Sequence, residues 1–180
     1  MTEDKICHNL EKLRSPQRVA LLETERVVEL ALEGIVAHNL LDIGTGSGLF
    51  AQAFAAEGLK VTGIDLQEQM LAAARVFVPE VEFQIASAEA LPFPDQEFDL
   101  AFLGHVLHES DTPQLVLQEV FRVVRKRAVV LEWPYEKKNE GPPQDHRLRS
   151  EDIMDSAVKA GYQSVKEISL QHMMLYLLGK

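Results

Sequence analysis

Leu40-Leu41-Asp42-Ile43-Gly44-Thr45-Gly46-Ser47-Gly48 decides how this chain folds. A short apolar run, Asn39 to Ile43, ends in three alternate glycines, and the Ala- and Phe-rich stretch Leu49 to Glu57 follows before Gly58. The first part suits a buried strand and the last a helix with a glycine at its C-terminal cap. Between them, glycine permits a tight turn and lets a ligand approach the backbone beside a helix N-terminus. The dinucleotide pattern G-x-G-x-x-G/A is not met, because Leu49 stands where its last small residue belongs. No Gly-Lys-Ser/Thr follows, so a phosphate-binding P-loop is not met either. The alternative is a strand-to-helix turn with no ligand.

Outward from this stretch, strands and helices alternate. Lys60 to Asp65, Val81 to Ala86, Phe98 to Gly104 and Ala128 to Trp133 read as strands. Helices are expected over Val19 to Leu32 (entered at Ser15-Pro16), Gln67 to Phe77, Gln114 to Arg125 and Ser150 to Ala160. Ser164 to Leu170 and Met173 to Leu178 can form an antiparallel pair. The order predicts an α/β fold: a doubly wound, Rossmann-like, mostly parallel seven-stranded sheet with helices on both faces and a C-terminal antiparallel strand pair. With 180 residues, one domain over 1–180 is expected, with 1–14 as an N-terminal extension. The polar stretch 134–149, stiffened by Pro142-Pro143, is long for a connection and is expected to be a lid, or else a solvated excursion.

Composition narrows the function classes. Eighteen basic against 28 acidic residues give a net charge of −10, which disfavours nucleic acid and anionic membranes as partners. One cysteine, Cys7, permits no internal disulfide and no cysteine-cluster metal site. No apolar run is long enough to span a bilayer, and Met1 to Lys5 has no signal-peptide core. A soluble, cytoplasmic protein without membrane insertion is expected.

A second motif, Gly63-Ile64-Asp65, places a carboxylate at the end of the next strand, 17 residues after Gly48. There it can accept two hydrogen bonds from a ribose diol, or cap the helix that begins near Gln67. At this point the chain resembles the class I S-adenosylmethionine-dependent methyltransferases, in particular the small group similar to ubiquinone and menaquinone biosynthesis methyltransferases. Leu41 to Gly48 resembles the first motif of that family, and Gly63-Ile64-Asp65-Leu66-Gln67-Glu68-Gln69-Met70-Leu71 its ribose-binding stretch. Ala86-Ser87-Ala88-Glu89-Ala90-Leu91-Pro92-Phe93-Pro94-Asp95 with Phe98-Asp99 resembles the adenine-side loop and fourth strand. The similarity runs over residues 35 to 133.

The resemblance implies S-adenosylmethionine as cofactor. Asp42 and the backbone of Gly44, Thr45 and Gly46 would flank its methionine end. Asp65 would take the ribose hydroxyls, Leu66 the adenine face, the backbone near Ala88 an adenine ring nitrogen, and Gly104 would lie near the ammonium. Two positions depart from the family. Ser87 stands where an acidic residue often receives the adenine amino group, so either Ser87 or Glu89 is expected there. Arg125-Lys126-Arg127-Ala128 stands where relatives have a Lys-Pro-Gly-Gly turn, away from the cofactor.

His105-Val106-Leu107-His108-Glu109 follows the fourth strand, at the carboxyl edge where doubly wound folds bind ligands. His108 is the candidate catalytic base, and His105, Trp133 and His146 are the candidate contacts to a small-molecule methyl acceptor. Packed loop histidines are the plain alternative. His105 and Glu109 have helical spacing for zinc, but no third ligand is evident, so no metal is expected. The function so read is methyl transfer to a small acceptor. Its rivals are a nicotinamide dehydrogenase, disfavoured by Leu49, and a non-catalytic nucleoside-binding or interaction module that keeps the fold.

Overall fold

The computed structural model describes residues 12–137 and 140–180. Helices α1 (Pro16–Leu22) and α2 (Thr24–Leu32) lead into β1 (Asn39–Ile43), α3 (Leu49–Ala56), β2 (Lys60–Asp65), α4 (Glu68–Phe77), β3 (Glu82–Ile85) and β4 (Phe98–Gly104). Then come α5 (Pro113–Val123), β5 (Val124–Glu132), α6 (Ser150–Ala160), β6 (Ser164–Ser169) and β7 (Met174–Gly179). Short 3-10 turns occupy Leu107–Glu109 and Gln144–His146.

The strands form one seven-stranded sheet in the order β3-β2-β1-β4-β5-β7-β6. Pairings from β3 through β5 are parallel, and β7 runs antiparallel to both β5 and β6. This is the expected doubly wound sheet with its C-terminal antiparallel pair. Strand alternation divides the core in two. Leu40, Leu100, Phe102, Val129, Leu131, Leu175 and Leu177 pack with residues of α2 and α3. Their neighbours Leu41, Ala101, Leu103, Ala128, Val130, Tyr176 and Leu178 pack with residues of α5 and α6. Because both faces are covered, central strands are apolar nearly throughout; β4 is buried from Phe98 to Leu103. The chain leaves β1 toward β2 on one side and returns to β4 on the other. Their carboxyl ends therefore flank a switch point, where such sheets open a crevice.

Two expected boundaries move. The helix over Val19 to Leu32 is two helices, broken at Glu23, whose φ of 48° turns the backbone left-handed. Ser15 caps the first as anticipated, accepting the Arg18 amide at 3.2 Å. Arg125 to Arg127 form no turn: α5 ends at Val123 and β5 begins with Val124. The basic side chains reach sideways instead. Arg125 and Lys126 meet Asp99 at 3.0 and 3.1 Å, and Arg127 donates to the Ala31 and Glu33 carbonyls. These partners lie on other segments, so no local sequence pattern reveals them. The helix α6 spans Ser150–Ala160 as expected, with Arg149 at its cap position and the Ser150 hydroxyl engaging Glu167 and Tyr176.

The described residues of the stretch 134–149 are held by one arginine and one tryptophan. Arg147, 4% exposed, donates to the carbonyls of Pro134, Glu140 and Pro142 and lies 5.5 Å from the Trp133 ring. Gly141, at φ 82°, lies so close to that ring that a Cβ would come within 2.6 Å of it. Most of the expected N-terminal extension falls outside the described residues. Of its end, Arg14 donates to the Ser47 carbonyl at 2.7 Å and to Gln52, placing residues just before α1 against the glycine turn.

Candidate functional site

A cleft of about 440 Å³ opens where β1, β2 and β4 end. The β1–α3 turn forms its floor. Gly44, Gly46 and Gly48 all have positive φ, which bars most L side chains from this path. At Gly44 a Cβ would strike Val106 at 2.5 Å, so the strand end packs directly on the segment after β4. At Gly46 a Cβ would meet nothing within 4 Å. There the space over the backbone is open, as ligand approach requires.

Asp65 closes the side. Its Oδ2 accepts the Gly46 amide and its Oδ1 the Gln67 amide, each at 2.9 Å. Asp65 does not cap α4, whose cap position is Gln67 without a side-chain bond; its carboxylate braces the turn and the segment before the helix while also lining the cleft. A carboxylate has about four lone-pair positions, so two remain for a diol. Asp42, 2% exposed on β1, accepts the Thr45 hydroxyl at 2.6 Å. Burial pushes its carboxyl up to about 7, opposed by the Thr45 hydrogen bond and reinforced by the charge of Asp65.

The opposite end is lined by Leu66, Met70, Ala86, Ser87, Ala88 and Glu89. Leu66 is 69% exposed, an apolar side chain left uncovered beside the cleft. The Ser87 hydroxyl accepts the Glu89 amide at 3.2 Å. Glu89 Oε1 accepts from the Ser110 and Thr112 hydroxyls at 2.7 and 2.8 Å, and these bonds hold its carboxyl below the usual range. Both residues expected at the adenine edge are thus oriented by their neighbours.

The remaining wall holds Leu13, Arg18, Leu22, Phe50, Phe102, Gly104 and His105. His105 lies directly after β4 with φ 62°, its amide donating to the Leu131 carbonyl. Its ring packs 5.1 Å from Trp133, which also lies 5.7 Å from the Arg18 guanidinium. Burial, with the charge of Arg18 behind it, pushes the His105 imidazole down to about 3, so it is neutral. His108 lies behind, outside the cleft lining, with Nδ1 2.8 Å from Glu132 Oε2. Burial lowers its affinity for a proton, but the Glu132 hydrogen bond and charge outweigh this and raise it above its usual value. Trp133 is buried and reaches the cleft through His105 and Arg18, not by lining it. His146 is exposed in its 3-10 turn and does not join the group; the buried side chain there is its neighbour Arg147.

Three contributors were missed in the sequence. Glu132, 1% exposed, is a charge inside the otherwise apolar run Ala128 to Trp133, and that oddity was a legible signal. Arg18 comes from α1 and Leu13 from the residues just before it, and no local pattern reveals their relation to the sheet edge.

Fold and site together define a class I S-adenosylmethionine-dependent methyltransferase architecture. The comparisons agree. The family described as "Methyltransferase domain" matches residues 41–131, and the chain belongs to it. The chain is 35% identical over 94 residues to the uncharacterized methyltransferase YcgJ of Bacillus subtilis, covering 49% of this chain and 37% of that protein. It is 37% identical over 95 residues to a demethylmenaquinone methyltransferase of Chlorobaculum parvum, covering 52% and 39%. The chain thus spans less than half the length of these relatives. Among solved structures, a SAM dependent methyltransferase from Aquifex aeolicus superposes with a TM-score of 0.83 over 96% of this chain and 97% of that one, at 24% identity. Among the described residues, no helix is long and apolar enough to cross a membrane.

Proposed function

We propose that this chain, acting as a single domain, transfers the methyl group of S-adenosylmethionine to a small-molecule acceptor in the cytoplasm. The observation that carries this is the open backbone at Gly46 with the Asp65 carboxylate bonded to its amide. A ligand with a ribose can lie against that turn while its diol meets Asp65. Asp42, Gly44, Thr45 and Gly46 would receive the methionine end, with Gly104 near the ammonium. Leu66, Ser87, Ala88 and Glu89 would enclose the adenine. The acidic lining (Asp42, Asp65, Glu89, Glu109, Asp111) suits a cofactor that carries positive charge.

When bound, the cofactor supplies an activated methyl and its own leaving group, so the protein's task is to hold an acceptor in line. Leu13, Leu22 and Phe50 offer apolar contact and Arg18 a donor on the same wall, with His105 beside it. Neutral His105, its ring nitrogens buried, would shape the acceptor's seat without taking its proton. His108, bonded to Glu132 behind it, is a positioning residue in this scheme; Trp133 supports His105 and Arg18, and His146 receives no acceptor contact. Relatives named as demethylmenaquinone and ubiquinone biosynthesis O-methyltransferases support a small acceptor. The net charge of −10 argues against nucleic acid in that place.

Label transfer from methyl-labelled S-adenosylmethionine to phenols, quinols, thiols, amines and carboxylates tests the proposal. Turnover of one class, reduced in Arg18→Met and His105→Gln with little change in cofactor affinity, is expected. Tight cofactor binding with no turnover of any class would favour the non-catalytic binding module.

A further inference from the structure

Neither ring nitrogen of His105 has a hydrogen-bond partner, although both are buried. Buried polar atoms left unpaired are uncommon and call for a reason, such as an ion or a ligand. The partners that could share one are close by. His105 Nδ1 lies 4.0 Å from Glu132 Oε2, and His108 Nδ1 lies 2.8 Å from that same oxygen. One donor atom from each of the three residues falls within 4.8 Å of the others. Glu132 is itself 1% exposed, so its charge stands in the interior with imidazoles around it.

We propose that His105, His108 and Glu132 form a binding site for a first-row divalent cation of the zinc or iron(II) class. Two imidazoles and one carboxylate are the donor types these ions take, and three protein ligands leave a coordination position open. The spacing fits. With bonds of about 2.0–2.1 Å and tetrahedral angles, two ligand atoms at one ion stand roughly 3.3 Å apart. The separations of 2.8 and 4.0 Å from Glu132 bracket that value and all three donor atoms lie within 4.8 Å, so side-chain adjustment alone would draw them around one ion.

Charges around the group act in both directions. Arg18 bears on His105 and Arg147 on His108, while Glu109 faces His108 with the opposite sign. The two guanidiniums weaken the hold on a bare dication and favour an anionic donor in the open position. His105 is the ligand that borders the cleft. A hydroxyl or thiol of the acceptor, coordinated there, would lose its proton more readily. That consequence rests on the methyl-transfer proposal above; binding of the cation does not.

The test is titration of the chelator-treated full chain with Co²⁺, followed by visible absorption. One equivalent per chain, with the intense bands of four- or five-coordinate cobalt displaced by Zn²⁺, is expected. Glu132→Gln and His105→Gln should each weaken binding by at least about tenfold, the loss typical even of outer-shell partners, and His38→Gln should not. Circular dichroism and S-adenosylhomocysteine calorimetry on each variant report whether the fold is retained. Should a variant not fold, X-ray absorption at the zinc edge of the wild type decides. Two imidazoles and a carboxylate oxygen support the site, and an all-oxygen shell overturns it. Weak six-coordinate cobalt bands, or equal affinity in folded Glu132→Gln, also overturn it. Loss of cobalt binding with S-adenosylhomocysteine binding intact would leave the methyl-transfer proposal standing. The converse result would leave the metal site standing alone.

Discussion

At Asp42 a carboxyl raised to about 7 lies where our proposal puts the cofactor's positive end. A bound cation favours the ionised form, so affinity for S-adenosylhomocysteine should rise as pH increases through about 7. If only the ionised form binds, the gain between pH 6 and 8 is about tenfold, and Asp42→Asn should flatten it. The sign for stability is opposite. The folded carboxyl keeps its proton up to about 7, whereas the unfolded one releases it near its ordinary value of 3.8. Relative to Asp42→Asn, the ligand-free protein should therefore lose stability as pH rises across that window. Urea melts of both forms at several pH values would check this. At Gly46 the backbone has φ 54° and the space above it is empty. Valine there adds branched bulk to a left-handed residue in the cofactor's path. Gly46→Val should abolish S-adenosylhomocysteine binding by calorimetry, with a smaller effect on the melting temperature.

At the element scale, the amino-terminal edge of the central strands is tied by Asp99. Burial alone would raise its carboxyl, but the His38 amide with Arg125 and Lys126 draws it down to about 2. Its stabilising contribution is therefore present above pH about 4 and disappears as pH falls through about 2. Asp99→Asn should cost about 1–2 kcal/mol at neutral pH and much less near pH 2, measured by denaturant unfolding. The loop over Trp133 offers a second case. Arg147→Ala removes three bonds to carbonyls and should cost about 2–3 kcal/mol, with faster amide exchange confined to residues 140–147. Neither device was legible in the sequence. Apolar rhythm placed the central strands and α6 well, because burial on a sheet writes itself as local periodicity. The length of β5 and the ties from Arg147 to Pro134, Glu140 and Pro142 depend on arginines bonding to carbonyls and carboxylates. Such partners leave no periodic trace.

For the whole molecule, the glycine turn and Asp65 were readable because a tight turn and a strand-end carboxylate are local features, and the sheet order brings them together at one switch point. The wall with Arg18 and His105 was less so. Arg18 arrives from α1 and Glu132 from the far side of β4, and only the assembled sheet makes them neighbours of His105. The central claim is that this crevice holds S-adenosylmethionine through the glycine turn and Asp65. Isothermal titration with S-adenosylhomocysteine and, separately, NAD tests it most directly on wild type and folded Asp65→Ala. We expect one S-adenosylhomocysteine per chain, no measurable NAD binding, and a loss of about 1.5–3 kcal/mol in the variant from the missing charged hydrogen bonds. Binding of NAD in place of S-adenosylhomocysteine, or unchanged affinity in Asp65→Ala, would contradict the account.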